Sequence, residues 1–106
     1  MRDYEIYSKI EEIIRSRRSI LLKPKRTSEH SKFLTAFNYC LGSIKDEFNV
    51  ILENSYIHPS YHFWWLDYYS KSAFYRKRFF AAKAFVSLFE LIYENFNDYS
   101  VYLTNV

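Results

Sequence analysis

Apolar residues recur every three or four positions along most of this chain, which is the spacing of amphipathic helices. The first predicted helix starts at Asp3, which can act as its cap, and runs to about Leu22. It ends at Lys23-Pro24, because the residue before a proline is disfavoured in helical conformation. Its apolar stripe consists of Ile6, Ile10, Ile13 or Ile14, and Leu21.

Two shorter helices are predicted in the middle of the chain. The second helix starts at Thr27 or Ser28 and is closed by Gly42, a residue that readily adopts the left-handed conformation at a helix C-terminus. The third helix is capped by Ser43, and Asp46 three positions later completes a pattern close to a capping box. Their apolar residues are Phe33, Leu34, Phe37 and Leu41 in the second helix, and Ile44, Phe48, Ile51 and Leu52 in the third.

The last two predicted helices are a short one and a long one. Ser60 caps a short fourth helix rich in aromatic residues, and residues 67–69 form a tight connection. Ser70 caps the fifth helix, which contains no glycine or proline and extends to about Phe96. Residues 97–106 are expected to form a loosely docked tail.

Composition agrees with an all-α single domain of five helices. Hydrophobic residues make up 49 % of the chain and aromatic residues 22 %, which is ample for a core. Glycine occurs once and proline twice, so the regular turns that β-hairpins need are missing. One domain is therefore expected over residues 1–106, with an N-terminal helix and basic linker over 1–26.

The net charge of +3 is small, but the basic residues are clustered. Two blocks contain no acidic residue, and such blocks indicate either an anionic partner or an ordinary solvated face. For the first block we favour a solvated helix end and linker over an arm that follows DNA. The first block contains Arg15, Arg17, Arg18, Lys23, Lys25 and Arg26, and the second contains Lys71, Arg76, Lys77, Arg78 and Lys83.

A short helix, a tight turn and a long basic helix, in that order, are typical of a helix-turn-helix DNA-binding unit, here placed over residues 28–96. Ser70 would cap the long helix, and the exposed backbone amides at the start of that helix could bind a phosphate. The guanidinium of Arg76 fits the two acceptors of the guanine edge. Phe74 would point inward against Trp64, Trp65 or Leu66. The predicted DNA-binding residues are Ser70, Lys71, Ser72, Tyr75, Arg76, Lys77, Arg78 and Lys83.

These residues also carry a family resemblance. The segment Phe33–Phe89 resembles region four of bacterial sigma factors, as in small phage-type and low-GC bacterial transcription regulators. The matching features are the helix pair, the turn Tyr69-Ser70-Lys71-Ser72, the Tyr75-Arg76 pair and Ala81. The resemblance implies transcriptional control, with residues 70–77 as the surface that reads duplex DNA. Because a chain of 106 residues with one such unit offers little surface, RNA polymerase or a second copy of the chain is expected as a further partner.

The alternative is a helical protein–protein interaction module that binds no nucleic acid. The long predicted helix has aromatic and aliphatic residues on most of its circumference, and a single core face does not account for all of them. It is either wrapped by the other helices or exposed on one side to a partner, as in a dimer or a polymerase-associated protein. Salt dependence separates the two functions, because binding through cations weakens steeply with salt.

An enzyme, a cofactor and a metal site are not expected. The sequence shows no pair of catalytic carboxylates, no nucleophile–base pair and no glycine-rich phosphate loop. His58 and His62 are four positions apart, but Pro59 disturbs helical geometry between them and no further ligand completes the set. Cys40 is the single cysteine and is predicted to be a core residue.

A cytoplasmic protein without a membrane segment is expected. No apolar run approaches the length of about 18 residues that a membrane span needs. The acidic N-terminus lacks the apolar core of a signal peptide.

Overall fold

In the computed structural model, which describes residues 2–103, every regular element is a helix. This confirms the predicted all-α fold, and the described residues contain five α-helices. A π-helical turn over Glu53–Ile57 continues the third helix, and residues 58–70 form a connecting segment, called the turn segment below. The α-helices are α1 Asp3–Leu21, α2 Ser28–Ser43, α3 Asp46–Leu52, α4 Lys71–Glu94 and α5 Phe96–Leu103.

Helix α4 is the central element, because it packs against all four other α-helices. Phe37 of α2 meets Phe85 of α4 edge to face, with ring centroids 5.0 Å apart, and both side chains are fully buried. Ala81 and Ala82 are buried as well, and their small side chains let neighbouring backbones approach. The long helix is therefore wrapped by the rest of the chain, and only one stripe of it remains exposed.

The predicted ends of the first three helices are partly correct. Helix α1 is preceded by Arg2 as its cap residue, so Asp3 lies inside the first turn and is not the cap. Helix α2 starts at Ser28, one of the two predicted positions, and Thr27 is its cap. The Thr27 hydroxyl accepts a hydrogen bond from the His30 amide, and the His30 ring accepts one from the Thr27 amide. These two reciprocal hydrogen bonds form a capping box, which was not predicted because the residue three positions after the cap in such a box is usually Glu or Gln rather than His.

The predicted junction between α2 and α3 is wrong. Gly42 is not left-handed, and α2 continues through it to Ser43. The Ser43 hydroxyl donates back to the Tyr39 carbonyl at 2.7 Å, so it does not cap α3, which follows Lys45 instead. The Asn49 amide donates to the Leu41 carbonyl at 2.8 Å. This bond satisfies a C-terminal carbonyl of α2 without the glycine motif.

The predicted fourth helix is also wrong, because residues 62–68 form successive turns. Their hydrogen bonds include Leu66 N–H to the Phe63 carbonyl and Tyr68 N–H to the Trp65 carbonyl. So short a helix is marginal even with good helix formers, and aromatic residues favour helices less than alanine or leucine. Burial of Trp65 against α4 decides the local conformation instead.

The predicted loose tail is wrong for residues 97–103. Helix α4 ends at Glu94 rather than Phe96, and α5 begins one residue after Asn95. The side-chain amide of Asn95 donates a hydrogen bond to the Leu91 carbonyl at 3.0 Å. The backbone carbonyl of Asn95 accepts hydrogen bonds from the amides of Asp98 and Tyr99. Helix α5 packs on α2 and α4 with Leu103 buried, while residues 104–106 lie outside the described residues.

Cys40 lies in the core as predicted, fully buried on α2. Burial raises the pKa of its thiol to about 12, because the thiolate would lose its hydration. We expect no reaction of the folded protein with Ellman's reagent at about pH 8, and one equivalent of reaction after unfolding in urea. Complete labelling of the folded protein within minutes, measured by absorbance, would contradict this placement.

Candidate nucleic-acid interface

The start of α4 is fixed by a cap and by an aromatic stack. Ser70 is extended, and its hydroxyl accepts a hydrogen bond from the Ala73 amide at 3.3 Å, so the predicted cap is confirmed. Phe74 is buried and stacks on Trp65 with centroids 4.6 Å apart and an interplanar angle of 6°. Trp64 meets Phe74 edge to face at 5.7 Å. Phe74 therefore points inward as predicted, which turns the opposite face of α4 outward.

That outward face carries exposed residues at successive intervals of four, four, three and four positions, which place them on one side of a helix. We call this face the basic stripe, and it consists of Ser72, Arg76, Phe80, Lys83 and Ser87. Lys71 and Ser70 are exposed just before it, at the helix N-terminus. Five of the eight predicted DNA-binding residues are thus exposed, at or near one face.

Lys77 lies beside the basic stripe and is engaged within the protein. Its ammonium is 2.8 Å from a carboxylate oxygen of Glu47 in α3 and 5.6 Å from the centroid of the Tyr69 ring. The hydrogen bond from Lys77 is the largest cause that lowers the pKa of Glu47. Because the Glu47 carboxylate neutralises much of its charge, the Lys77 ammonium is less available to an anion than its position in the sequence indicates.

Arg78 faces α1 and Tyr75 faces Trp65 of the turn segment, so neither belongs to the basic stripe. The guanidinium carbon of Arg78 lies 4.9 Å from the centroid of the Tyr75 ring and 5.2 Å from that of Tyr7. Its Nε is buried and has no hydrogen-bond partner among the described residues. Burial raises the pKa of the nearby Tyr56 hydroxyl to about 12, although the positive charge of Arg78 opposes this shift. Both residues act in packing α4 against its neighbours.

The first basic block, over residues 15–26, does not join this surface. Tyr7 of α1 contacts Phe79 with ring centroids 6.0 Å apart, whereas Lys9 forms a 3.0 Å ion pair with Glu90. Helices α1 and α4 therefore run in the same direction. Arg17 of this block lies 5.1 Å from the centroid of the Phe37 ring, which packs on Phe85 in the middle of α4. Glu29, three residues after the block, accepts a hydrogen bond from the Tyr93 hydroxyl near the C-terminal end of α4, so the block ends far from Lys71.

The charge of the exposed face changes sign along α4. Beyond Ser87 its exposed residues are Glu90, Leu91 and Glu94, and Glu12 of α1 lines a groove with both glutamates. An anionic ligand is therefore favoured only over the first half of the helix. The sequence shows this reversal, since the acid-free block ends at Glu90.

Sequence reasoning missed two features near the start of α4. One is the Lys77–Glu47 ion pair, which joins residues thirty positions apart and has no local signal. The other is the outward position of Tyr61, Phe63, Leu66 and Tyr68 in the turn segment, of which the first three were assigned to a helix and Tyr68 to a tight connection. The run of aromatic residues between Pro59 and Ser70 is the signal that could have indicated an exposed aromatic surface.

Comparison of the chain with known protein families, with curated proteins and with solved structures found no match. The resemblance to sigma-factor region four therefore stays a prediction. In residues 2–103, no helix is long and apolar enough to cross a membrane. The same residues hold no group of three His, Cys, Asp or Glu side chains that would bind a metal ion, and His58 pairs with Glu53 at 3.0 Å.

Proposed function

We propose that this protein binds duplex DNA through the basic stripe and the N-terminus of α4, and that it acts as a transcription regulator. The observation that carries the proposal is that Arg76 and Lys83 lie exposed on one face. Lys71 is exposed at the helix N-terminus beside it. No acidic residue interrupts α4 before Glu90. From Lys71 to Lys83 the helix rises about 18 Å, enough to follow a groove across several base pairs.

The residues have distinct expected roles in such a complex. Lys71 and Lys83 neutralise phosphates, and the amides at the start of α4 favour a further phosphate because of the helix dipole. Arg76 is the residue best suited to a guanine edge, since its fork matches two acceptors. Phe80 lies between Arg76 and Lys83, where an apolar side chain contacts a thymine methyl or a sugar.

The support for α4 differs from that of a standard helix-turn-helix unit. A turn segment precedes α4 in place of the predicted short helix, and the stack of Trp65 on Phe74 holds the start of α4 against the core. A region-four-like unit would thus use α3 and α4 with a longer connection. RNA polymerase and a second copy of the chain remain the proposed further partners, because a single short helix surface gives limited affinity.

Fluorescence anisotropy with a labelled duplex of about 20 base pairs at low salt tests the proposal. Saturable binding that competitor duplex reverses is the expected result. The titration is repeated with RNA polymerase present, so that a requirement for polymerase is detected. Failure to bind in both experiments would end the proposal.

Glu47→Gln is expected to strengthen duplex binding by about two- to fivefold. The substitution removes a carboxylate next to the basic stripe and frees the Lys77 ammonium for a phosphate. Asp98→Asn, which makes the same change of charge on exposed α5, serves as the control. Anisotropy titrations measure both variants, and an unchanged or weaker affinity of Glu47→Gln would show that phosphates do not approach this side of α4.

The second candidate function is a helical protein-interaction module that uses the same face of α4. It is favoured by the partial exposure of two apolar side chains on that face, Phe80 at 47 % and Leu91 at 49 %. Association through them would vary little with salt and would be lost in the double variant Phe80→Ser, Leu91→Ser. Light scattering of the free protein and of the variant distinguishes this function from DNA binding.

A further inference from the structure

A groove of about 490 Å³ lies between α3 and the turn segment, beside the start of α4. Four aromatic side chains line it: Tyr61, Trp64, Tyr68 and Tyr69. Two of them are unusually open, Tyr61 at 68 % and Tyr68 at 74 % of their full exposure. A concave surface with several accessible ring faces is typical of a binding site rather than of ordinary solvated surface.

The charged residues of this groove are both acidic. Glu47 and Asp67 line it, and no lysine or arginine is among the described residues that do so. The Glu47 carboxylate is paired with Lys77, whereas Asp67 forms no hydrogen bond or ion pair within residues 2–103. One carboxylate therefore faces four aromatic rings without a counter-ion. This combination repels phosphates and attracts cations.

The rim of the groove already holds one cation in this manner. The Lys77 ammonium is bound by the Glu47 carboxylate at 2.8 Å and lies 5.6 Å from the centroid of the Tyr69 ring. Asp67 and the rings of Tyr61, Trp64 and Tyr68 line the same groove and supply the same two kinds of chemical group, a carboxylate and aromatic faces. Lys77 therefore makes the kind of contact proposed for a ligand, with a cation held between a carboxylate and an aromatic ring.

We propose that the groove binds the arginine or lysine side chains of a basic peptide segment in a partner protein. A carboxylate next to aromatic faces suits guanidinium and ammonium groups, and guanidinium also stacks on the rings. An open groove along α3, rather than a closed cavity, suits an extended peptide. The proposal is independent of DNA binding, because Asp67 and the rings lie outside the basic stripe.

A fluorescein-labelled tetraarginine peptide is the probe, and a tetraglutamine peptide of equal length is the neutral control. We expect saturable anisotropy changes with tetraarginine only, accompanied by a change in the fluorescence of Trp64. Asp67→Asn is expected to weaken binding about three- to tenfold, and Asp98→Asn, with the same change of charge, to leave it unchanged. Absence of saturable binding, or equal losses in the two variants, would overturn the proposal.

A second variant separates the aromatic contact from charge alone. Tyr68→Leu keeps an exposed apolar side chain but removes the ring, and we expect about a threefold loss of tetraarginine affinity with an unchanged thermal midpoint. Duplex DNA binding by the same variant should stay as in the wild type, so the two binding functions fail independently. Full retention of tetraarginine affinity would overturn the role of the rings. Self-association that Asp67→Asn abolishes would make a second copy the occupant and overturn the choice of partner.

Discussion

Replacing Arg76 and Lys83 together with glutamine is expected to weaken duplex DNA binding by about 10- to 100-fold. Both side chains are exposed on the basic stripe, and neither is held by an ion pair within the described residues. In the proposed complex, Arg76→Gln removes a charge-assisted contact to a base, and Lys83→Gln removes a phosphate contact together with the release of its counter-ion. Both substitutions leave the hydrophobic core of α4 in place. Anisotropy titrations at equal salt concentration measure the loss.

A matched variant separates the basic stripe from net charge. Lys25→Gln with Arg26→Gln removes the same two charges from the exposed linker between α1 and α2, at the other end of the molecule. We expect its affinity for duplex DNA to stay within about threefold of the wild type, in line with general attraction alone. If the linker variant loses as much affinity as the α4 variant, binding is diffuse and the basic stripe is not the interface.

Phe85→Ala is expected to lower the free energy of unfolding by about 3–5 kcal/mol. Phe85 is 1 % exposed at the centre of α4, and its ring contacts Phe37 of α2 at 5.0 Å and Phe89 at 5.9 Å. Truncation leaves a cavity between α2 and α4 that the surrounding helices fill only in part. Because domains of this size are stable by about 5–15 kcal/mol, the variant should be strongly destabilised.

Phe80→Ala is the control for this loss, since it removes the same atoms from an exposed position on the same helix. We expect its free energy of unfolding to change by less than about 1 kcal/mol. Urea titrations followed by circular dichroism compare the two variants. Equal losses of unfolding free energy in the two variants would contradict the wrapped position of α4. A loss in Phe80→Ala alone would mean that the face of α4 with Phe80, and not the face with Phe85, packs in the core.

The sequence predicted the helices that have a strong local signal. Helix α1 and the starts of α2 and α4 follow from apolar spacing, from Thr27 and from Ser70, which act within a few residues of their own position. The end at Gly42 was wrong, because a tertiary hydrogen bond from Asn49 to the Leu41 carbonyl outweighs the local preference of glycine. The end near Phe96 was two residues too late, because Asn95 closes α4 with a hydrogen bond to the Leu91 carbonyl. The turn segment was misassigned because burial of Trp65 on Phe74 is a contact with another element.

The candidate site was also predictable only in part, because the sequence shows local features of α4 but not its contacts with other elements. The acid-free block after Ser70 indicated the candidate residues, and five of the eight are exposed at or near one face of α4. The block did not show that Lys77 pairs with Glu47 or that Arg78 packs on Tyr7, since those partners come from α3 and α1. Periodicity reports which residues share a face, whereas the neighbours of that face depend on how the helices pack.

The salt dependence of duplex binding by the unmodified protein tests the central proposal most directly. With Lys71 and Lys83 each neutralising one phosphate, the logarithm of the association constant should fall with the logarithm of salt concentration with a slope of about −1.8. The Arg76→Gln, Lys83→Gln variant should lose about 0.9 from the magnitude of that slope, because it removes one of the two phosphate contacts. A slope near zero, or an equal slope in the variant, would contradict DNA binding through the start of α4.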